Sequence, residues 1–134
     1  MHDQTDTQYV EDFRRRWAET SGYVYPQYGF LAERDPEFAE AFLQIMKAWR
    51  RKGPIPAQYK EMMILMGSCV KMQEMAIRTH LRKARKLGAT DAELLELFEV
   101  VLLSGGGVAM VKAIGVFMEE LGISNDALSG PEWD

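Results

Sequence analysis

The chain has 134 residues, 47% hydrophobic and 27% charged, a length and composition that predict one compact globular domain rather than two. Its net charge of −4 and pI near 5.3 argue against a general nucleic-acid binder, whose footprint is basic, and favour small-molecule or protein partners. A single cysteine, Cys69, excludes an internal disulfide; the acidic, polar stretch Met1 to Asp12 does not suit a secretory signal, so a cytoplasmic location is expected, and the longest apolar stretch, Met62 to Val70, is about half of a membrane span.

Helical spacing recurs along the chain and strand-like alternation is scarce, which predicts an all-α fold of about six helices. The first covers roughly Tyr9 to Glu19, with Val10, Phe13 and Trp17 on one side and Asp12, Arg15 and Arg16 on the other. Tyr23, Tyr25, Pro26, Tyr28 and Phe30 read as an aromatic connector. Asp35 and Pro36 then read as cap and first residue of a second helix, whose buried stripe is expected to be Phe38, Phe42, Ile45, Met46 and Trp49.

Lys52-Gly-Pro-Ile-Pro56 breaks that helix, and Pro56 starts a third, running to about Met72. From Met62 to Val70 this helix is apolar or small on every side, as expected of one enclosed by neighbours or buried in a subunit interface. The fourth helix carries His80 and ends near Gly88, with Lys83 and Lys86 favourably placed against its dipole. Thr90-Asp-Ala-Glu93 is a capping box opening a fifth helix through Leu94, Leu97, Phe98 and Val101. Ser104-Gly-Gly-Gly107 interrupts the pattern, a sixth helix covers roughly Val108 to Leu121, and a loosely held tail is expected from Gly122 to Asp134. The glycine run lacks the Gly-Lys-Ser/Thr ending of a phosphate loop and reads as a close helix approach.

His80 is the leading chemical candidate, because it sits on the apolar side of a helix whose other side carries Arg78, Arg82, Arg85 and Lys86. An imidazole there can exchange a proton near neutral pH, and the same placement also suits a satisfied core or interface histidine. Glu61 precedes the apolar run, where burial would favour pairing with His80; a solvated carboxylate in the first turns of a helix is the plainer reading. Arg78, Arg82 and Arg85 fit a solvated helix face, although one of them would suit a bidentate clamp on a substrate carboxylate. Gln73 is a candidate hydrogen-bond donor to a substrate carbonyl. Cys69, one turn earlier, would face the same cavity or serve as a small core residue. The methionines between 62 and 75 suit adaptable core or the wall of an apolar site. Two histidines, one of them His2, supply no metal-ligand spacing, which leaves a metal unsupported by the sequence.

The string His80-Leu-Arg82-Lys-Ala84-Arg85-Lys-Leu-Gly88, followed by Thr90-Asp-Ala-Glu93 and a hydrophobic helix, resembles the carboxymuconolactone decarboxylase and alkylhydroperoxidase superfamily over about residues 35 to 121, and is closest to the decarboxylase branch. The resemblance implies an all-helical, AhpD-like subunit assembled into trimers or hexamers. It also implies no organic cofactor, a small carboxylate or lactone substrate, and a place in aromatic catabolism. The peroxidase branch carries Cys-x-x-Cys-x-x-x-His with a glutamate nineteen residues before the histidine. Here the two cysteine positions are Gln73 and Ala76, so dithiol peroxide reduction is not expected, whereas Glu61 does match the relay glutamate. The resemblance therefore implies a lyase lacking the two motif cysteines, in which His80 delivers a proton, Glu61 orients or relays, and Gln73, Arg82, Arg85 or Cys69 lies against substrate. Isomerisation, hydration or hydrolysis of a related unsaturated acid, or ligand binding without catalysis, would use the same residues.

Overall fold

The computed structural model describes residues 4–126 and, among them, consists of helices with no strand. These helices are α1 (Gln4–Ser21), α2 (Pro26–Arg34), α3 (Pro36–Trp49), α4 (Ala57–Val70), α5 (Glu74–Lys86), α6 (Asp91–Gly105) and α7 (Gly107–Glu120). The expectation for His2 and that for most of the tail, 127–134, fall outside the described residues. The chain divides into two compact units, residues 1–51 and 52–134.

The first unit contains α1 to α3, and it corrects the expected helix count. Of the aromatic stretch read as a connector, Tyr23 and Tyr25 do precede the next helix, but from Pro26 onward it is the helix α2: Pro26 supplies the pre-set φ of a first turn, and Tyr28, Leu31 and Ala32 recur at helical spacing. These residues pack on Phe13 and Trp17 of α1, with the Trp17 and Tyr28 rings 4.1 Å apart. Asp35 ends α2 through its N–H to the Leu31 carbonyl, and it caps α3 by accepting from the Phe38 N–H at 3.0 Å. The stripe of α3 is rotated from the expected one. Ala39 and Leu43 are fully buried, Phe42 and Met46 flank them, and Phe38 and Ile45 are about 60% exposed. Small Ala39 lets the helices approach closely, so the stripe centres on it rather than on the largest side chains.

The second unit contains α4 to α7 around a core that includes Leu65, Cys69, Ile77, Leu81, Leu94, Phe98, Val101 and Phe117. The capping box of α6 forms as expected, Thr90 Oγ1 accepting from the Glu93 N–H at 3.1 Å. Gly88 takes φ +101° after α5, and Gly106 takes φ +86° between α6 and α7. At Gly105 a Cβ would lie 3.0 Å from the Ala109 Cβ and 3.2 Å from the Val70 Cα, which is the close approach expected of the glycine run. Within this chain α4 is not enclosed on all sides. It buries Glu61, Leu65, Ser68 and Cys69 and leaves Tyr59 and Met63 more than half exposed. An apolar run with no polar face marks a helix that loses little by burial anywhere; only its neighbours decide which side is covered.

Candidate active site

Glu61 lies one turn into α4 and His80 lies midway along α5; the short turn 71–73 folds the two helices against each other. Met72 makes that turn possible by taking φ +53°, and the Gln73 N–H donates to the Ser68 carbonyl at 3.1 Å. The pairing of α4 with α5 carries Glu61 and His80, nineteen residues apart in sequence, to a contact of 2.7 Å between His80 Nδ1 and Glu61 Oε2. Glu61 is 4% and His80 9% exposed.

A carboxylate in such a place is costly unless its oxygens are met by hydrogen bonds or opposite charge. His80 meets one oxygen, and Lys83 Nζ stands 3.8 Å from the other, Oε1. An ionised carboxylate only accepts, so opposite Glu61 in that form Nδ1 carries a ring hydrogen and Nε2 is the nitrogen left to exchange a proton. The arrangement can thus hold an imidazole in one orientation and one tautomer, and stabilise it when a proton arrives.

The remaining expected site residues are distributed differently. Arg82 makes a two-pronged contact with Glu120 of α7, Nε at 2.8 Å and a terminal nitrogen at 3.0 Å. Arg78 holds Glu119 and Glu120, and Arg85 Nε is 3.1 Å from Asp91 at the start of α6. These arginines therefore grip the chain's own carboxylates, and the guanidiniums of Arg82 and Arg78 hold the Glu120 carboxyl below the usual glutamate range. Gln73 is the exposed N-cap residue of α5, two turns before His80, without a side-chain capping bond. Cys69 is fully buried among apolar side chains, and burial pushes its thiol up to about 12. That is the core placement, not the cavity placement, of the two readings of this cysteine.

Sequence reading missed Lys83 as a neighbour of Glu61. The signal was its position three residues after His80, on the same side of α5. It also missed the arginines' partners, which lie on α6 and α7 and have no local signature. A groove of about 540 Å³ runs along α4 and α6, lined by Tyr59, Met62, Met63, Met66, Leu97 and Val100. Met62, Met63 and Met66 thus form part of an apolar wall, whereas Met72 and Met75 do not line it, and Tyr59, Met62, Met63 and Met66 make a helical stripe on a different side of α4 from Glu61. Among the described residues no group of three or more His, Cys, Asp or Glu is placed to hold a metal ion, and no helix is long and apolar enough to cross a membrane.

Comparison with known proteins gives the class to which this helical chain belongs. The pattern of the carboxymuconolactone decarboxylase family matches residues 36–119, and the chain belongs to that family. An uncharacterized protein of Cupriavidus necator is 30% identical over 81 residues, covering 60% of this chain and 72% of its own. A crystal structure of a candidate carboxymuconolactone decarboxylase from Burkholderia xenovorans LB400 superposes with a TM-score of 0.69 at 20% identity, over 87% of this chain and 96% of that one, a likeness of fold.

Proposed function

We propose that this chain is a carboxymuconolactone decarboxylase-like lyase acting on an unsaturated lactone or related carboxylic acid, with His80 as the proton-transfer group and Glu61 orienting it. The observation that carries the reading is the buried 2.7 Å contact between His80 Nδ1 and Glu61 Oε2 in a member of this family. In the reaction the carbon–carbon bond to the carboxylate breaks and its electron pair moves into the adjoining unsaturated carbonyl or lactone. Carbon dioxide leaves, and the proton that closes the product comes from His80, whose neutral ring takes it up from solvent at Nε2 and passes it on. The conserved balance is one proton taken up per carbon dioxide released. General acid catalysis of this kind contributes on the order of 10²- to 10⁴-fold, so His80→Ala is expected to lose that much turnover while remaining folded.

Gln73 is the remaining candidate for a substrate contact, since Arg82 and Arg85 are paired within the chain. A thiol peroxidase needs an accessible, ionisable thiol, and Cys69 is neither. We also read the exposed apolar stripe of α4, with the groove beside it, as the face through which copies of the chain form a homo-oligomer. Light scattering after size exclusion tests that reading: a mass of three or six chains supports it, and a monomer at micromolar concentration contradicts it. The experiment for the lyase reading is incubation with carboxymuconolactone and related unsaturated lactone acids, following carbon dioxide and product mass, with His80→Ala in parallel.

A further inference from the structure

We propose that Lys83 is a positioning residue for the Glu61–His80 pair: its ammonium group is the standing counter-charge of the Glu61 carboxylate, and it thereby keeps the His80 imidazole neutral, with its hydrogen on Nδ1. The inference deepens the proton-transfer reading of His80 and rests on it for its functional meaning, though not for its test.

The geometry gives the two carboxylate oxygens separate partners. Oε2 faces His80 Nδ1 at 2.7 Å, and Oε1 faces Lys83 Nζ at 3.8 Å. Lys83 stands three residues beyond His80 on α5, so both reach toward α4 from successive turns of one face. Glu61 has 6% of its side chain exposed and Lys83 18%, so the attraction between them is weakly screened. A carboxylate buried to this degree requires a compensating positive charge. Two groups can supply it, an imidazolium at His80 or the ammonium at Lys83. If the histidine supplied it, the ring would already hold the proton it is meant to accept. With Lys83 supplying it, the carboxylate and ammonium sum to zero, and the imidazole is left neutral and basic at Nε2.

Several other charges on the helices packed around α4 and α5 pair elsewhere. On α6, Asp91 pairs with Arg85 and Glu93 accepts from Gln58. On α7, Glu119 and Glu120 are held by Arg78 and Arg82, and Lys112 stands 3.5 Å from Glu74. On α4 itself Lys60 adjoins Glu61 in sequence. Lys83 is singled out because it reaches the same carboxylate that holds the histidine.

The test reads the ring nitrogens of His80 by long-range proton–nitrogen NMR on uniformly nitrogen-15-labelled, substrate-free protein at pH 7.5, with the signal assigned by its loss in His80→Gln. Wild type is expected to show a neutral ring protonated at Nδ1. Lys83→Met keeps the apolar stem and removes the charge, and Lys83→Gln removes it with a polar end. Each is expected to raise the imidazolium-to-imidazole ratio on the order of tenfold, the effect of one nearby unit charge worth about 1.4 kcal/mol. Lys83→Arg is expected to restore the wild-type ratio. A wild-type ring that is imidazolium or protonated at Nε2, a ratio unmoved in Lys83→Met and Lys83→Gln, or Lys83→Arg behaving like Lys83→Met each overturns the proposal. Should one uncharged variant fail to fold, the other carries the test, and a wild-type ring found as imidazolium or protonated at Nε2 overturns the proposal without either. Because no substrate is present, failure of the lyase reading leaves this result intact, and failure here leaves any measured turnover intact.

Discussion

Replacing Glu61 by alanine removes the acceptor 2.7 Å from His80 Nδ1 and the anion 3.8 Å from Lys83, both inside the second unit. A buried hydrogen bond to a charged group contributes roughly 1.5–3 kcal/mol, and loss of one partner from a buried charged pair costs up to about 3–5 kcal/mol. Glu61→Ala is therefore expected to destabilise the protein by roughly 2–4 kcal/mol. His80→Ala, which leaves Glu61 its lysine, should cost less, roughly 1–3 kcal/mol. The two changes should not add. In a double-mutant cycle measured by urea denaturation at pH 7, with unchanged m-values, the coupling between them is expected to be at least about 1 kcal/mol. Coupling below about 0.5 kcal/mol would mean that carboxylate and imidazole do not meet in solution, and the reasoning from their contact would fall.

Three further outcomes follow from the surrounding packing. The Glu120 carboxyl is held low by Arg82 and Arg78, so its folded-state value lies below the unfolded one near 4.5. The stability it contributes is complete above the unfolded value and is lost as pH falls through the folded one. Urea midpoints between pH 2.5 and 7 should fall more steeply on the acid side in wild type than in Glu120→Gln; parallel curves would contradict this. Gly105→Ala places a methyl 3.0 Å from Ala109 Cβ and 3.2 Å from the Val70 backbone, an overpacking cost of about 1–3 kcal/mol against a helix gain of about 0.5–1 kcal/mol. A thermal melt should show net destabilisation, and a variant more stable than wild type would refute the close approach. Cys69, buried and with its thiol pushed up to about 12, should react with a thiol reagent at neutral pH at the rate of unfolding; rapid labelling of the native protein would place it elsewhere.

Local signals in the sequence carried most of the helices. Asp35 before Pro36, Pro56 before Ala57, and Thr90 with Glu93 mark starts whose geometry the structure repeats. α2 was hidden because its aromatic residues resemble a connector until Pro26 is taken as a first turn and Tyr28, Leu31 and Ala32 as one face. The stripe of α3 was displaced because counting large apolar residues overlooks Ala39, whose small size sets where the helices touch. For the site, the nineteen-residue spacing of Glu61 and His80 was legible through the family resemblance, and the structure adds their contact. The fate of the arginines was not legible, since Glu120 and Asp91 come to them from α7 and α6. Helical periodicity tells which residues share a face; it does not tell which distant carboxylate that face will meet.

The central claim, that His80 transfers the proton in a decarboxylation, is tested most directly by carbon dioxide release. Purified protein and His80→Ala, matched for folding by circular dichroism, are incubated with carboxymuconolactone and related unsaturated lactone acids. The account predicts carbon dioxide and a product lighter by its mass from wild type, with turnover reduced on the order of 10²-fold or more in the variant. Equal turnover in the two proteins, or no release from any of these acids, would contradict it.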